Sequence, residues 1–178
     1  MDDEGPAKVK FDKIPTLKPA FDPKGSVTAA NASTINDGAA AVVLMSADGA
    51  KARGIKPLAR LVAQATHAQK PEWFTTAPAE AMRKCARRAD WDMKSIDLFE
   101  VNEAFAVVAL AAQKELAIPH EKLNVWGGAI SIGHPIGASG ARIVITLISA
   151  LKDRGLKRGL AGICIGGGEA TAMAVECL

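Results

Sequence analysis

The stretch "IDLFEVNEAFAVVALAAQKEL", Ile96 to Leu116, changes its periodicity partway along. Ile96 to Val101 is a short apolar run of strand length. From there Phe105, Val108, Ala109, Ala112 and Leu116 recur at helical spacing. Asn102 stands at the junction, where a side-chain oxygen can accept a free N–H of the first helical turn. A strand that runs straight into a helix fills one layer and begins covering it with the next, which is the unit of an α/β fold.

The same alternation extends to both sides. Downstream, "LNVW" begins a strand. The glycine-rich run "GGAISIGHPIGASGAR", Gly127 to Arg142, then opens onto a helix of about Ser139 to Arg154, with Val144, Leu147, Ile148 and Leu151 inward and Gly155 as its stop. The tail "RGLAGICIGGGEATAMAVECL" reads as two strands joined by its glycines. Upstream, "GAAAVVLMS" (Gly38 to Ser46) predicts a buried strand, and "ADGAKARG" a short helix ending at Gly54. "LARLVAQAT" (Leu58 to Thr66) predicts a further strand. Pro78 opens a helix with Met82, Cys85, Ala86 and Ala89 on one face. Residues 1–30, with prolines and alternating charges, predict irregular chain.

At 178 residues and 49% hydrophobic, the chain can bury a substantial core. Aromatics are 4%, so helices and sheet must approach closely through small side chains. The net charge of +3 is small and its cations are interleaved with acids, which gives no footprint for nucleic acid. "RKCARR", Arg83 to Arg88, reads as the solvated side of a helix. Three cysteines without C-x-x-C spacing argue against a disulfide framework or a zinc site and suit a reducing compartment. The polar start carries no signal-peptide pattern, and no apolar run reaches the length of a membrane span. A cytoplasmic protein is the expectation.

Three places can carry chemistry. In "GHPIGASGAR" the spacing fits neither a P-loop, since no lysine follows Gly140, nor the dinucleotide fingerprint. His134, fixed between Gly133 and Pro135 at a strand end, reads equally as a general base or as a histidine that only bonds a carbonyl. Cys164, beside three glycines in "CIGGG", is a nucleophile or acid–base group if its thiol is tuned and an inert core residue if not; for a lone cysteine the inert reading has precedence. The glycine turn after it offers outward backbone N–H groups, the material of an oxyanion hole. Asn102 is a helix cap on its own evidence, with an oxygen-positioning amide as the functional alternative. Outside these three, "NASTINDGAA", Asn31 to Ala40, serves as a ligand contact or as a turn.

"NEAFA", "GHPIGASGAR" and "CIGGG", in this order and at these separations, resemble the thiolase family, enzymes that make or cleave β-ketoacyl-CoA thioesters. "NASTINDGAAAVVLMS" is similar to the segment that precedes the family's C-terminal domain. The resemblance implies a layered mixed β-sheet covered by helices, with residues 57–178 as the C-terminal domain and residues 1–56 as loop region and end of the N-terminal domain. It also implies roles. His134 deprotonates the nucleophilic cysteine and helps to hold a thioester oxyanion. Cys164 exchanges the α-proton of the acetyl unit. Asn102 holds a water at a first oxyanion hole, and the Gly166 N–H is one donor of a second. Ser33 meets the pantetheine arm of CoA, and Phe74 lies near the acyl or CoA group.

No metal and no cofactor are implied; coenzyme A enters as thioester substrate. Acetoacetyl-CoA is the implied substrate. Trp126 and the "WFTTAP" loop depart from the family pattern, which keeps a longer β-ketoacyl chain as the alternative. A non-catalytic binder of lipid or CoA thioesters, of the sterol-carrier kind, is the alternative from another class. The family's acyl-accepting cysteine belongs to its N-terminal half, and nothing in this sequence resembles that cysteine's surroundings. The expectation is therefore a C-terminal portion, inactive alone, whose partners are that half, acyl-CoA and CoA, and further copies in a dimer or tetramer. Residues 1–56 are expected to be loosely packed or rearranged.

Overall fold

The computed structural model describes residues 4–178; the polar start at Met1 to Asp3, read above as free of a signal pattern, lies outside them. Its helices are α1 (Glu4–Lys8), α2 (Ala47–Ala52), α3 (Ala77–Arg88), α4 (Ala106–Leu116), α5 (Ala129–Ile132) and α6 (Ile136–Asp153). Its strands are β1 (Ala59–Ala68), β2 (Leu98–Val101), β3 (Arg158–Cys164) and β4 (Glu169–Cys177). They form one mixed sheet in the order β1-β4-β3-β2, in which only β2 and β3 run parallel. The antiparallel pair β3–β4 closes through the short glycine turn, as the sequence predicts. The parallel pair β2–β3 needs a long crossover, which α4 to α6 supply.

Period-two alternation decides what each strand presents to each layer. Leu98 joins Ile143, Leu147, Ala150 and Leu151 of α6 on one face, with Ala161 and Val175 from the neighbouring strands. Phe99 and Val101 join Met82, Cys85 and Ala86 of α3 and Val108 and Ala112 of α4 on the other. Small residues make this approach possible. A Cβ added at Gly162 would meet Met82 Sδ at 2.7 Å, inside van der Waals contact. The layered mixed α/β fold expected from the sequence is therefore the fold observed.

Three expectations need correction. Gly38–Ser46 takes up no regular secondary structure and pairs with no described strand, and Val43 and Leu44 are 86% and 76% exposed. An apolar run becomes a buried strand only where a neighbouring ladder takes up its backbone groups, and the sheet here ends at β1 and β2. "LNVW" forms only isolated bridges, Phe99 with Leu123 and Val125 with Gly127, because Asn124 takes a left-handed φ of 45° that breaks an extended run. Asn102 does not cap α4. That helix starts four residues later, behind Phe105.

The N-terminal part is looser than the rest but not uniformly so. Phe11 and Phe21 are exposed. The stretch 31–36, by contrast, is stitched to both functional loops: Ser33 N–H and Ala106 N–H bond across to Ala104 and Asn31 carbonyls, and His134 N–H donates to the Thr34 carbonyl at 2.8 Å. Among the described residues no helix is long and apolar enough to cross a membrane.

Candidate active site

Alternation along β2 continues past its end. Leu98, Glu100 and Asn102 all belong to the α6 side of the sheet. Asn102 is held there by its N–H, which donates to the Gly162 carbonyl of the adjacent parallel strand at 2.9 Å. The carboxyl ends of β2 and β3 thus lie side by side, the usual place for a ligand site in a parallel arrangement. Cys164 and Gly166 are at the end of β3, beside this point.

His134 reaches the same place from the crossover. Gly133 adopts a φ of 88°, and a side chain there would run into Asn36, so glycine is required to turn the chain into His134. The imidazole is half-buried. Its Nε2 lies 3.3 Å from Asn102 Nδ2, and its Nδ1 lies 2.6 Å from Ser139 Oγ, one turn into α6. Ser139 is completely buried and donates its hydroxyl to the Pro135 carbonyl at 3.0 Å. Ser139 Oγ is therefore left to accept, so Nδ1 carries the ring proton and Nε2 presents a lone pair. Burial, and then the positive charge of Arg142, lower the pKa of His134. The ring is neutral at physiological pH and able to take a proton.

Below the amide lies an ion pair. Arg142 Nη1 donates to Glu100 Oε1 at 3.0 Å, and Nη2 approaches Asn102 Oδ1 at 3.4 Å. Glu100 is 1% and Asn102 0% exposed. Burial pushes the Glu100 carboxyl up to about 7, partly offset by Arg142 and reinforced by Glu103. Since this folded value lies above the ordinary 4.5, the proton is held more tightly in the folded chain. The resulting stability is fully present below about pH 4.5 and is lost as pH rises through about 7. Against Glu100→Gln, which does not titrate, wild type should lose on the order of a few kcal/mol across this interval. Denaturant unfolding of both at pH 4.5, 6 and 8 checks this; parallel profiles would refute it.

The other candidates are close by in different degrees. Cys164 is partly buried, packs against the α3–α4 core and has its thiol pKa raised by burial, so it is protonated at neutral pH. Gly166 lies in the exposed turn after β3, and a Cβ there would meet nothing within 4 Å, so the space before it is open. The Ser33 hydroxyl donates to the Ala104 carbonyl at 3.0 Å and keeps its acceptor lone pairs. Phe74 stands edge-on to Phe105 with ring centroids 6.3 Å apart. Asn102 and His134 are in direct contact, Ser33 and Phe74 border the same loop, and Cys164 with Gly166 forms the neighbouring strand end.

Sequence reading overlooked Glu100, Arg142 and Ser139. Their signal was present: two-residue spacing puts Glu100 beneath Asn102, and three-residue spacing puts Ser139 and Arg142 on one side of α6. Glu103 was overlooked too. Its carboxylate accepts from Asn124 Nδ2 at 2.9 Å and Ile130 N–H at 3.1 Å, which braces the loop before His134.

Comparison with known proteins gives the family. Residues 55–177 match the model of the thiolase C-terminal domain, and residues 1–48 match that of the thiolase N-terminal domain. The chain is 57% identical, over all 178 residues, to a probable acetyl-CoA acetyltransferase of Dictyostelium discoideum, of which it covers 43%. Its fold superposes on the Bacillus anthracis acetyl-CoA acetyltransferase with a TM-score of 0.94 at 48% identity, covering 99% of this chain and 45% of that one. An Ascaris suum thiolase solved in complex with coenzyme A gives 0.89 at 41% identity, covering all of this chain and 47% of that one. The chain thus spans somewhat under half the length of these relatives, and over that span it belongs to the thiolase family.

Proposed function

We propose that this chain is the C-terminal part of an acetyl-CoA C-acetyltransferase, which condenses two acetyl-CoA molecules to acetoacetyl-CoA and CoA and runs the reverse thiolysis. The observation that carries the proposal is the Asn102–His134 contact at the carboxyl end of β2, next to a protonated Cys164 on β3. A relative solved with coenzyme A bound, on the same fold, supports the substrate class. Residues 57–178 would be the C-terminal domain and residues 1–56 the linking part. The three free cysteines accord with the expected reducing cytoplasm.

In thiolysis, His134 Nε2 takes the proton of a nucleophilic cysteine supplied by the N-terminal half. The thiolate attacks the keto carbon of acetoacetyl-CoA. The C–C bond then breaks, its electron pair forms the enolate of acetyl-CoA, and Cys164 protonates that carbon. CoA attacks the acetyl-enzyme, its thiol proton restores Cys164, and the departing cysteine recovers its proton from His134. Asn102 and the protonated His134 would stabilise one developing oxyanion, the Gly166 N–H the other, and Ser33 and Phe74 would border the pantetheine arm. The test is thiolysis of acetoacetyl-CoA by this chain assembled with the N-terminal thiolase half. Acetyl-CoA must form at two molecules per substrate consumed. Binding without turnover would favour a non-catalytic carrier instead.

A further inference from the structure

The site contains a directed chain of donors whose purpose is not explained by the neutral histidine alone. A guanidinium has only N–H donors, so the Asn102 atom that faces Arg142 must be its oxygen, and the amide nitrogen must face His134. While the ring is neutral this costs nothing, since Nε2 accepts from Nδ2. Once Nε2 has taken a proton, two donors face each other. A free amide would then turn over by about 180° and accept from the imidazolium through Oδ1, because an amide's two ends are nearly the same shape. That contact would consume both donors that a thioester oxyanion or its water needs.

We propose that Glu100 and Arg142 are positioning residues that hold the Asn102 amide in one orientation, so that protonated His134 and Asn102 point two donors at a shared oxygen. Arg142 supplies the restraint, since turning the amide would set Nδ2 against a cation. Glu100 holds the guanidinium in place with its neighbouring Nη1, deep enough that water does not compete: the two side chains are 16% and 2% exposed. The charged neighbours are few. Arg142, from α6, is the charge that acts on His134, and Glu103, from the loop after β2, acts on Glu100 along with Arg142. Ser139 faces the other ring nitrogen and fixes the ring plane.

The inference rests on the functional reading only for its kinetic arm. In the assembled enzyme, the paired variant Glu100→Gln/Arg142→Met removes the guanidinium without burying an unpaired charge. It should lower kcat for acetoacetyl-CoA thiolysis by about 100-fold or more, the scale of a lost oxyanion donor, and leave KM within about threefold. The second arm uses the 178-residue chain, ¹⁵N-labelled at histidine, with His67 and His120 as internal controls. At low pH the His134 Nε2–H should exchange rapidly with water in wild type. In the paired variant it should become protected, because the turned amide accepts from it.

Loss of a charge alone would raise the His134 pKa without protecting that proton, so protection is the discriminating signal. Unchanged exchange in a folded variant would overturn the proposal, as would unaltered kcat. If the wild-type assembly shows no thiolysis, the functional reading fails and the exchange arm still decides the amide's orientation. Should the paired variant not fold, Arg142→Gln, which retains a donor toward Glu100 and loses the cation, gives the same two readouts.

Discussion

In the assembled enzyme, Cys164→Ala is expected to separate two half-reactions that His134→Ala removes together. On the proposed mechanism Cys164 is needed where carbon gains or loses a proton, a step with a high barrier unless an acid or base stands at that carbon. Acyl transfer between sulfurs demands less of it, because a thiolate of ordinary thiol pKa leaves readily. Cys164→Ala should therefore reduce condensation and thiolysis by about 10³-fold or more while acetyl exchange between labelled CoA and acetyl-CoA falls only about tenfold. On the same mechanism His134 acts earlier, on the nucleophile, and again on the oxyanion. His134→Ala should suppress exchange and thiolysis alike, by about 10⁴-fold. Exchange and thiolysis are measured on the same preparations. Equal losses of both reactions in Cys164→Ala would assign the thiol a different role, and near-wild-type thiolysis in His134→Ala would remove the site assignment.

The pKa directions agree with this division. Burial keeps the Cys164 thiol protonated, the form that donates to an enolate, and the same burial keeps His134 unprotonated, the form that accepts from a thiol. Both directions have one cause: desolvation opposes charge in both groups, and charge means proton loss in one and proton gain in the other.

How much of this the sequence discloses depends on the range of the interaction that decides each feature. Strand β2, the buried face of α4 and the β3–β4 hairpin follow from local period and from glycine, and all three are legible in the sequence. Asn102 reads locally as a cap, but the Gly162 carbonyl from a strand some sixty residues distant captures its N–H and starts the helix later. Its true surroundings, Arg142 and His134, come from two further elements, so no local rule could reveal them. The Gly38–Ser46 run fails for the opposite reason. Its local composition is strand-like, but strand pairing is a property of two segments, and no described segment stands opposite.

That unpaired run bears on the second large effect: the 178-residue chain alone is expected to show no thiolysis, below one part in 10⁴ of the assembled enzyme, the factor set by losing the nucleophile as a unit with its base. The chain has three cysteines, and none is fit to accept an acyl group from the His134 side. Cys85 is fully buried between α3 and the sheet, with its thiol raised to about 11 and directed at the Ala63 carbonyl. Cys177, near the end of β4, bonds the Ile148 carbonyl on α6 and is also raised. Cys164, on the proposed mechanism, is engaged as the carbon acid–base. The nucleophile must then arrive on another segment, and a strand laid along Val42 to Met45 would bring that segment in toward Pro135 and His134, since the Gly38 backbone runs so close to the Pro135 ring that a Cβ there would lie 2.6 Å from it. Adding the separately purified N-terminal half should therefore restore thiolysis and, in the same titration, protect the backbone amides of residues 39–46 from hydrogen exchange. Turnover by the chain alone would contradict the nucleophile argument. Restored turnover with those amides still exchanging freely would show that the half docks elsewhere and that the exposed run is not its seat.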